Sequence, residues 1–254
     1  MSAKAFSRWQ AAGTHFLVCV AIAVAVVALM LEVWYPRPLF EAAGGNGLLY
    51  ILVGVDVILG PLLTLVVFKS GKRGMKFDLA VIAVVQVAAL VYGCHIVYLA
   101  RPAFIVFVKD RFELATVVEL EAGELAAAKY PQFRSVPWSG PLLAVADIPT
   151  DPVERTRVIV AALAGRDMQN FPRYFVPYEE RSKEVLAKAD TIVKLRTSEP
   201  VSAKAVDAYL ASSGTREDSV RALMLRTRFA WIVVLVDPNT AKPVKMLLGE
   251  QIVE

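Results

Sequence analysis

Asp56 is the residue whose chemistry most needs an explanation, because it sits inside the long apolar run 48–68, four residues before Gly60-Pro61. A carboxylate near the centre of a bilayer costs about 2.5–3.5 kcal/mol on insertion scales, so it must face protein or take up a proton. Asp56, Gly60 and Thr64 recur at every fourth residue and share one helical stripe. Such a small, polar stripe suits close approach by another helix. Gln86, in the next apolar run, falls within about one turn of the same depth at 1.5 Å per residue. Two readings follow: an Asp56–Gln86 hydrogen bond that locks the helices, or a polar socket for a partner's membrane helix. Pro61 leaves the Val57 carbonyl without its helical donor and bends the run there. Asp78 suits the first turn of its helix, stabilised by the helix dipole or by Lys76. Glu32 and His95 lie near the ends of apolar runs, where polar tips reach water.

Residues 101–254 contain neither histidine nor cysteine. That removes a Ser-His-Asp triad, a cysteine nucleophile and the usual His/Cys zinc sites, so no catalytic, cofactor-binding or metal site is expected. His15 and His95 belong to the apolar part of the chain. Gly71-Lys72 lacks the flanking residues of a phosphate loop, and no GxGxxG occurs. Asp167 and the run Phe171–Tyr178 (FPRYFVPY) stand out. Asp167, Tyr174 and Tyr178 are candidate contacts of a rigid, protein-binding edge; the competing reading is a loop that covers the core.

The elements that position these residues follow from composition. Of 254 residues 56% are hydrophobic, and the mean hydropathy is +0.51. The excess lies in residues 1–100, which hold only seven Lys or Arg and four Asp or Glu. A helix that crosses lipid needs about 20 apolar residues. Three spans are expected, at about 16–35, 48–68 and 77–99, forming a three-helix transmembrane module over residues 1–100. Trp34-Tyr35 suits a lipid–water interface and Pro36 ends the first span. Bulky residues follow the first apolar core where a signal peptidase needs small ones, so an uncleaved anchor is expected.

Lys69, Lys72, Arg73 and Lys76, with Lys4 and Arg8, carry six of the seven cations of this part; the loop between them has Arg37 opposed by Glu41. Lys and Arg in short loops stay cytosolic, which places the N-terminus inside and everything after Arg101 outside. The overall charge of +4 thus reports orientation and contact with acidic lipid, not nucleic-acid binding. Cys19 and Cys94 lie in apolar runs and are expected as free thiols.

From Pro102 the texture is that of a soluble domain, residues 101–254. Phe104–Lys109 and Phe112–Glu119 form a hairpin around Asp110-Arg111. A helix over Ala122–Lys129, a strand over Leu142–Ala146 and a helix from Asp151-Pro152 to Ala164 follow. Helices at Glu179–Lys194 and Val201–Ser212 lead to a meander of Val220–Thr227, Phe229–Val236 and Val244–Leu248. Strands at both ends with helices between define an α+β domain.

Several of these pieces resemble the type IV pilin accessory proteins of the TfpX/TfpZ kind. They are Trp34-Tyr35-Pro36, Gly44-Gly45, Val55-Asp56, Leu59 to Leu65, Phe68-Lys69, Lys76 to Leu79, Gln86, Ala89-Leu90, Tyr92-Gly93, Arg101-Pro102, Phe107 and Arg111-Phe112, with a weaker echo at Asp167, Pro172, Tyr174 and Pro177-Tyr178. The resemblance implies a non-enzymatic protein of the bacterial inner membrane, with no cofactor, that assists assembly, stability or presentation of a cognate type IV pilin. On that reading the soluble domain is periplasmic and the partners are pilin and membrane lipid. A membrane-bound enzyme that modifies pilin would need a water-accessible acid/base pair. A periplasmic sensor would need a cytosolic output, and only about 15 N-terminal residues and one turn are available for one.

Overall fold

The computed structural model describes residues 7–69 and 72–252; Lys4 and Gly71 lie outside them. The chain forms two compact units, one of residues 1–33 and 45–98, the other of residues 34–44 and 99–254. The second unit therefore takes in an eleven-residue strap, Trp34–Gly44, from between the apolar helices.

In the first unit, α1 spans Arg8–Leu29 and continues through a π turn, Met30–Trp34. Ser7 caps it, accepting from the Gln10 N–H while the Gln10 side chain accepts from the Ser7 N–H. The unit's other long helix is Met75–Ala100. Arg8–Trp34 and Met75–Ala100 are the two helices, among the described residues, long and apolar enough to cross a membrane. The expected three-helix transmembrane module is not what forms. The middle run breaks into α3, Gly45–Gly54, a π turn, Val55–Leu59, and α4, Gly60–Val67. Its apolar helical stretch, Asp56–Val67, is shorter than a span. Apolar residues were numerous enough over 48–68, but Asp56 and Pro61 interrupt both the apolar surface and the hydrogen-bond ladder.

In the strap, α2 covers Leu39–Ala42. Its side chains are core residues of the second unit: Leu39 and Ala42 are fully buried and cluster with Ile105, Phe107 and Phe112. The Ala42 carbonyl accepts from the Thr227 hydroxyl at 2.8 Å and the Phe229 N–H at 3.3 Å. Gly44, at φ +77°, lies where a Cβ would stand 2.6 Å from the Phe229 ring, so both its backbone and its neighbour demand glycine. Trp34 and Tyr35 are buried too, Trp34 against Trp138 at 6.1 Å and Tyr35 against Phe40 at 5.8 Å. The pair expected at a lipid–water interface is packed inside protein.

After α5 (Met75–Ala100) the chain enters a seven-stranded mixed sheet. Its strands are β1 Pro102–Val108, β2 Arg111–Thr116, β3 Leu142–Ala146, β4 Phe175–Pro177, β5 Arg221–Arg226, β6 Ala230–Val236 and β7 Pro243–Gln251, in the order β4-β3-β1-β2-β5-β6-β7. The β1–β3 and β2–β5 pairings are parallel and the rest antiparallel. Alternation on the strands divides the core. Ile105, Phe107, Leu223, Leu225, Ile232 and Val234 face the strap and Tyr178–Leu186, helix α8. Phe104, Val106, Ala144 and Phe175 face Ala122–Ala126 (α6) and Pro152–Leu163 (α7). Ala222, Val233 and Leu235 face Ile192–Ser198 (α9) and Pro200–Ser213 (α10). Covered on both sides, β1 is buried along almost its whole length.

The hairpin, the β3 strand, the α7 start at Asp151 and the closing meander lie where their patterns placed them. Glu179–Lys194 is not one helix. Asp190 leaves the helical path to exchange two backbone hydrogen bonds with Ala222, at 2.8 and 2.9 Å, and this pairing separates α8 from α9.

Candidate functional site

The polar residues of the first unit converge around the break at Asp56. In the i→i+5 pairing of a π turn, the donor for the Asp56 carbonyl would be the N–H of residue 61, which is proline. The Gln86 amide takes that place, donating to the Asp56 carbonyl at 3.3 Å. Gln86 thus reaches the Asp56 backbone and not its carboxylate. Gly60 makes the approach possible, since a Cβ there would fall on the Gln86 side chain. Thr64 is 3% exposed and its hydroxyl is 2.6 Å from His15 Nδ1. Of the stripe Asp56, Gly60 and Thr64, then, the last two are covered by the protein's own side chains.

Asp56 and Gln86 line a cleft of about 160 Å³, together with His15, Cys19 and apolar residues that include Val18, Ile22 and Val87. Asp56 is 8% exposed, and neither of its carboxylate oxygens has a hydrogen-bond partner. The sequence marked His15 and Cys19 as residues of the apolar part but not as neighbours of Asp56. Their four-residue spacing puts them on one face of α1, a signal that an otherwise apolar helix made readable. Cys19 and Cys94 are free thiols. At the cationic turn, Lys69, Lys72, Arg73 and Lys76 are exposed; Asp78 pairs with Lys72 at 2.5 Å and not with the expected Lys76.

In the second unit the aromatic-proline run covers the core. Tyr178 is 2% exposed and its hydroxyl donates to the Ala241 carbonyl at 2.5 Å, so it offers no contact surface. Tyr174 is half-buried and donates to Glu154. Asp167 is exposed and caps a 3-10 turn, accepting from the Met168 N–H at 2.7 Å. The three residues do not form one exposed patch. Sequence reasoning missed two buried acids. Glu113 is held by Arg111 and Arg226 at 2.7 and 2.8 Å, and Glu124 by Arg157 and Arg173 at 2.6 and 2.5 Å. Each is saturated by two guanidinium groups, an arrangement that pins chain segments together and leaves no carboxyl free to shuttle a proton. Among the described residues, no three His, Cys, Asp or Glu side chains group closely enough to hold a metal ion.

Burial, with the Glu179 charge adding, pushes the Tyr178 hydroxyl up to about 12 from an ordinary 10.0. An unfolded tyrosine ionises first, so this residue's stabilisation is complete below pH 10 and is lost as pH rises toward 12. Tyr178→Phe is expected to cost about 1 kcal/mol near neutrality, the worth of one hydrogen bond. It should also flatten the alkaline loss of stability, as read by urea unfolding across that pH range.

Fold and site together define a class of protein: an α+β domain joined to long apolar helices that enclose a polar cleft. A family model described as fimbrial assembly protein FimB matches residues 3–44, which cover α1 and the strap. Three relatives from Dichelobacter nodosus extend the match. The fimbrial assembly protein of serogroup I is 31% identical over 230 residues, 88% of this chain and 88% of its own length. That of serogroup E1 is 30% identical, over 72% of this chain and 71% of the relative. That of serogroups C1 and C2 is 34% identical, over 47% of this chain and 89% of the relative. The chain belongs to the fimbrial assembly protein family. No solved structure matches it.

Proposed function

We propose that this protein is a non-enzymatic, membrane-held accessory factor in type IV pilus assembly, and that its cleft receives the apolar helix of a cognate pilin waiting in the membrane. The observation that carries the reading is the buried, unpartnered Asp56 carboxylate in a cleft between apolar helices. A polar group retained at such cost inside lipid is a functional group by default. Family membership supplies the process, fimbrial assembly. Asp56 and Gln86 are the residues proposed to meet the partner helix, because the protein's own side chains cover Gly60 and Thr64.

The α+β domain is periplasmic on this reading. Arg8 stands at the start of α1, and Lys72, Arg73 and Lys76 at the start of α5. A cation at the start of α1 favours the cytosolic side, so α1 runs outward on this reading. The domain contacts the pilin's soluble part through a surface that includes Asp167 and Tyr174, which are accessible where Tyr178 is not.

Deleting the gene and measuring surface pili, pilin level and pilin mass together tests the proposal. Surface pili should be lost or strongly reduced with the pilin's mass unchanged. A pilin of altered mass in the deletion strain would replace this reading with an enzymatic one, and full piliation would end it.

A further inference from the structure

The polar oxygens of the cleft share one chemical property. Both Asp56 carboxylate oxygens and Gln86 Oε1 are buried without a hydrogen-bond partner, while the Gln86 amide is committed to the Asp56 carbonyl. With Asp56 ionised, the unsatisfied atoms are all acceptors. His15, which also lines the cleft, is engaged through Nδ1 with Thr64. A buried acceptor left unpaired costs more than the bond it forgoes would have contributed, so the group that complements this cleft must donate. The walls at Val18, Ile22 and Val87 are apolar, so the carrier of that donor must be apolar as well. An acyl chain would match the walls and leave the oxygens unpaired.

We infer that the cleft takes a hydrogen-bond donor, a hydroxyl or an amine, projected from the apolar helix of the partner, and that Asp56 is its acceptor. The inference rests on the pilin-helix reading of the cleft and adds the chemistry by which the helix is chosen.

A photo-crosslinking residue at Val87, which lines the cleft and is 59% exposed, would be introduced into the full chain in its own strain. The otherwise unchanged protein is expected to give an adduct with pilin. Asp56→Glu keeps the acceptor and should keep the adduct. Asp56→Leu should reduce it on the order of tenfold, the equivalent of one hydrogen bond to a charged group. Ala83→Lys places an amine on the cleft lining, as an internal donor intended for Asp56. It should abolish the adduct while the protein stays abundant, which keeps the test decisive if Asp56→Leu fails to accumulate. An undiminished pilin adduct in either Asp56→Leu or Ala83→Lys overturns the donor inference and leaves the pilin reading standing. Adducts with lipid alone, before any change at Asp56, overturn the pilin reading itself.

Discussion

Asp56→Leu is expected to make the apolar unit more stable and the cell less piliated. The two effects have opposite signs because they come from the same cause. In the folded chain the carboxylate is buried with no hydrogen-bond partner, and a buried polar group left unsatisfied costs about 1–3 kcal/mol, a cost that leucine removes. Leucine also lies on the favourable side of the insertion scale where aspartate lies on the costly side. Cys19, buried in the same cleft, reports on the unit's integrity. In a Cys94→Ser background, protection of the Cys19 thiol against alkylation should persist to a temperature roughly 5 °C higher in the variant. Surface pili should fall severalfold in the same cells. A residue that only locked helices together would give the reverse stability effect: leucine would loosen the unit, and Cys19 would react at lower temperature.

Leu39→Ala is expected to unfold the α+β domain although residue 39 lies 63 positions before that domain's first strand. Leu39 is 0% exposed and packs in the cluster of Ile105, Phe107 and Phe112. Truncating a leucine in such a site costs about 2–5 kcal/mol, a large share of the 5–15 kcal/mol that holds an ordinary domain together. Trypsin digestion of purified full-length protein should show the domain of Leu39→Ala cut quickly. Val118→Ala, at a residue 64% exposed, should leave it resistant. Equal resistance of the two variants would mean that the strap merely lies on the domain. Such a strap ties the fold of the α+β domain to the segment that directly follows α1.

Local patterns told most of the domain's elements. Strands such as Leu142–Ala146 and the Arg221–Val236 hairpin are bounded by turn residues, and α7 opens with an Asp-Pro cap that needs no tertiary context. What joins them was not legible, because the parallel pairings β1–β3 and β2–β5 link segments whose contacts no local pattern encodes. The three-residue strand Phe175–Pro177 is too short and too proline-rich to announce itself. The burial of Glu113 and Glu124 was not legible because Arg226, Arg157 and Arg173 are distant from them in sequence. The strap reads as a loop in sequence because burial of Leu39 and Ala42 depends on strands that follow much later.

In the apolar part, proximity of Asp56 and Gln86 followed from helix depth, but the π turn changed which atoms meet. A side chain drawn toward a carboxylate went instead to the carbonyl that Pro61 leaves without a donor. The same break shortened the middle helix below the length of a span. Counting apolar residues registers hydrophobicity and cannot register a lost ladder bond. The result was one span too many in the reading from composition.

The most direct measurement is recovery of pilin with this protein from gently solubilised membranes, comparing the natural chain with Asp56→Leu at equal amounts of each. Pilin should accompany the natural chain and be depleted on the order of tenfold from the variant. Equal recovery of pilin with both, in a strain that remains fully piliated, would contradict the cleft as the place where the pilin helix is held.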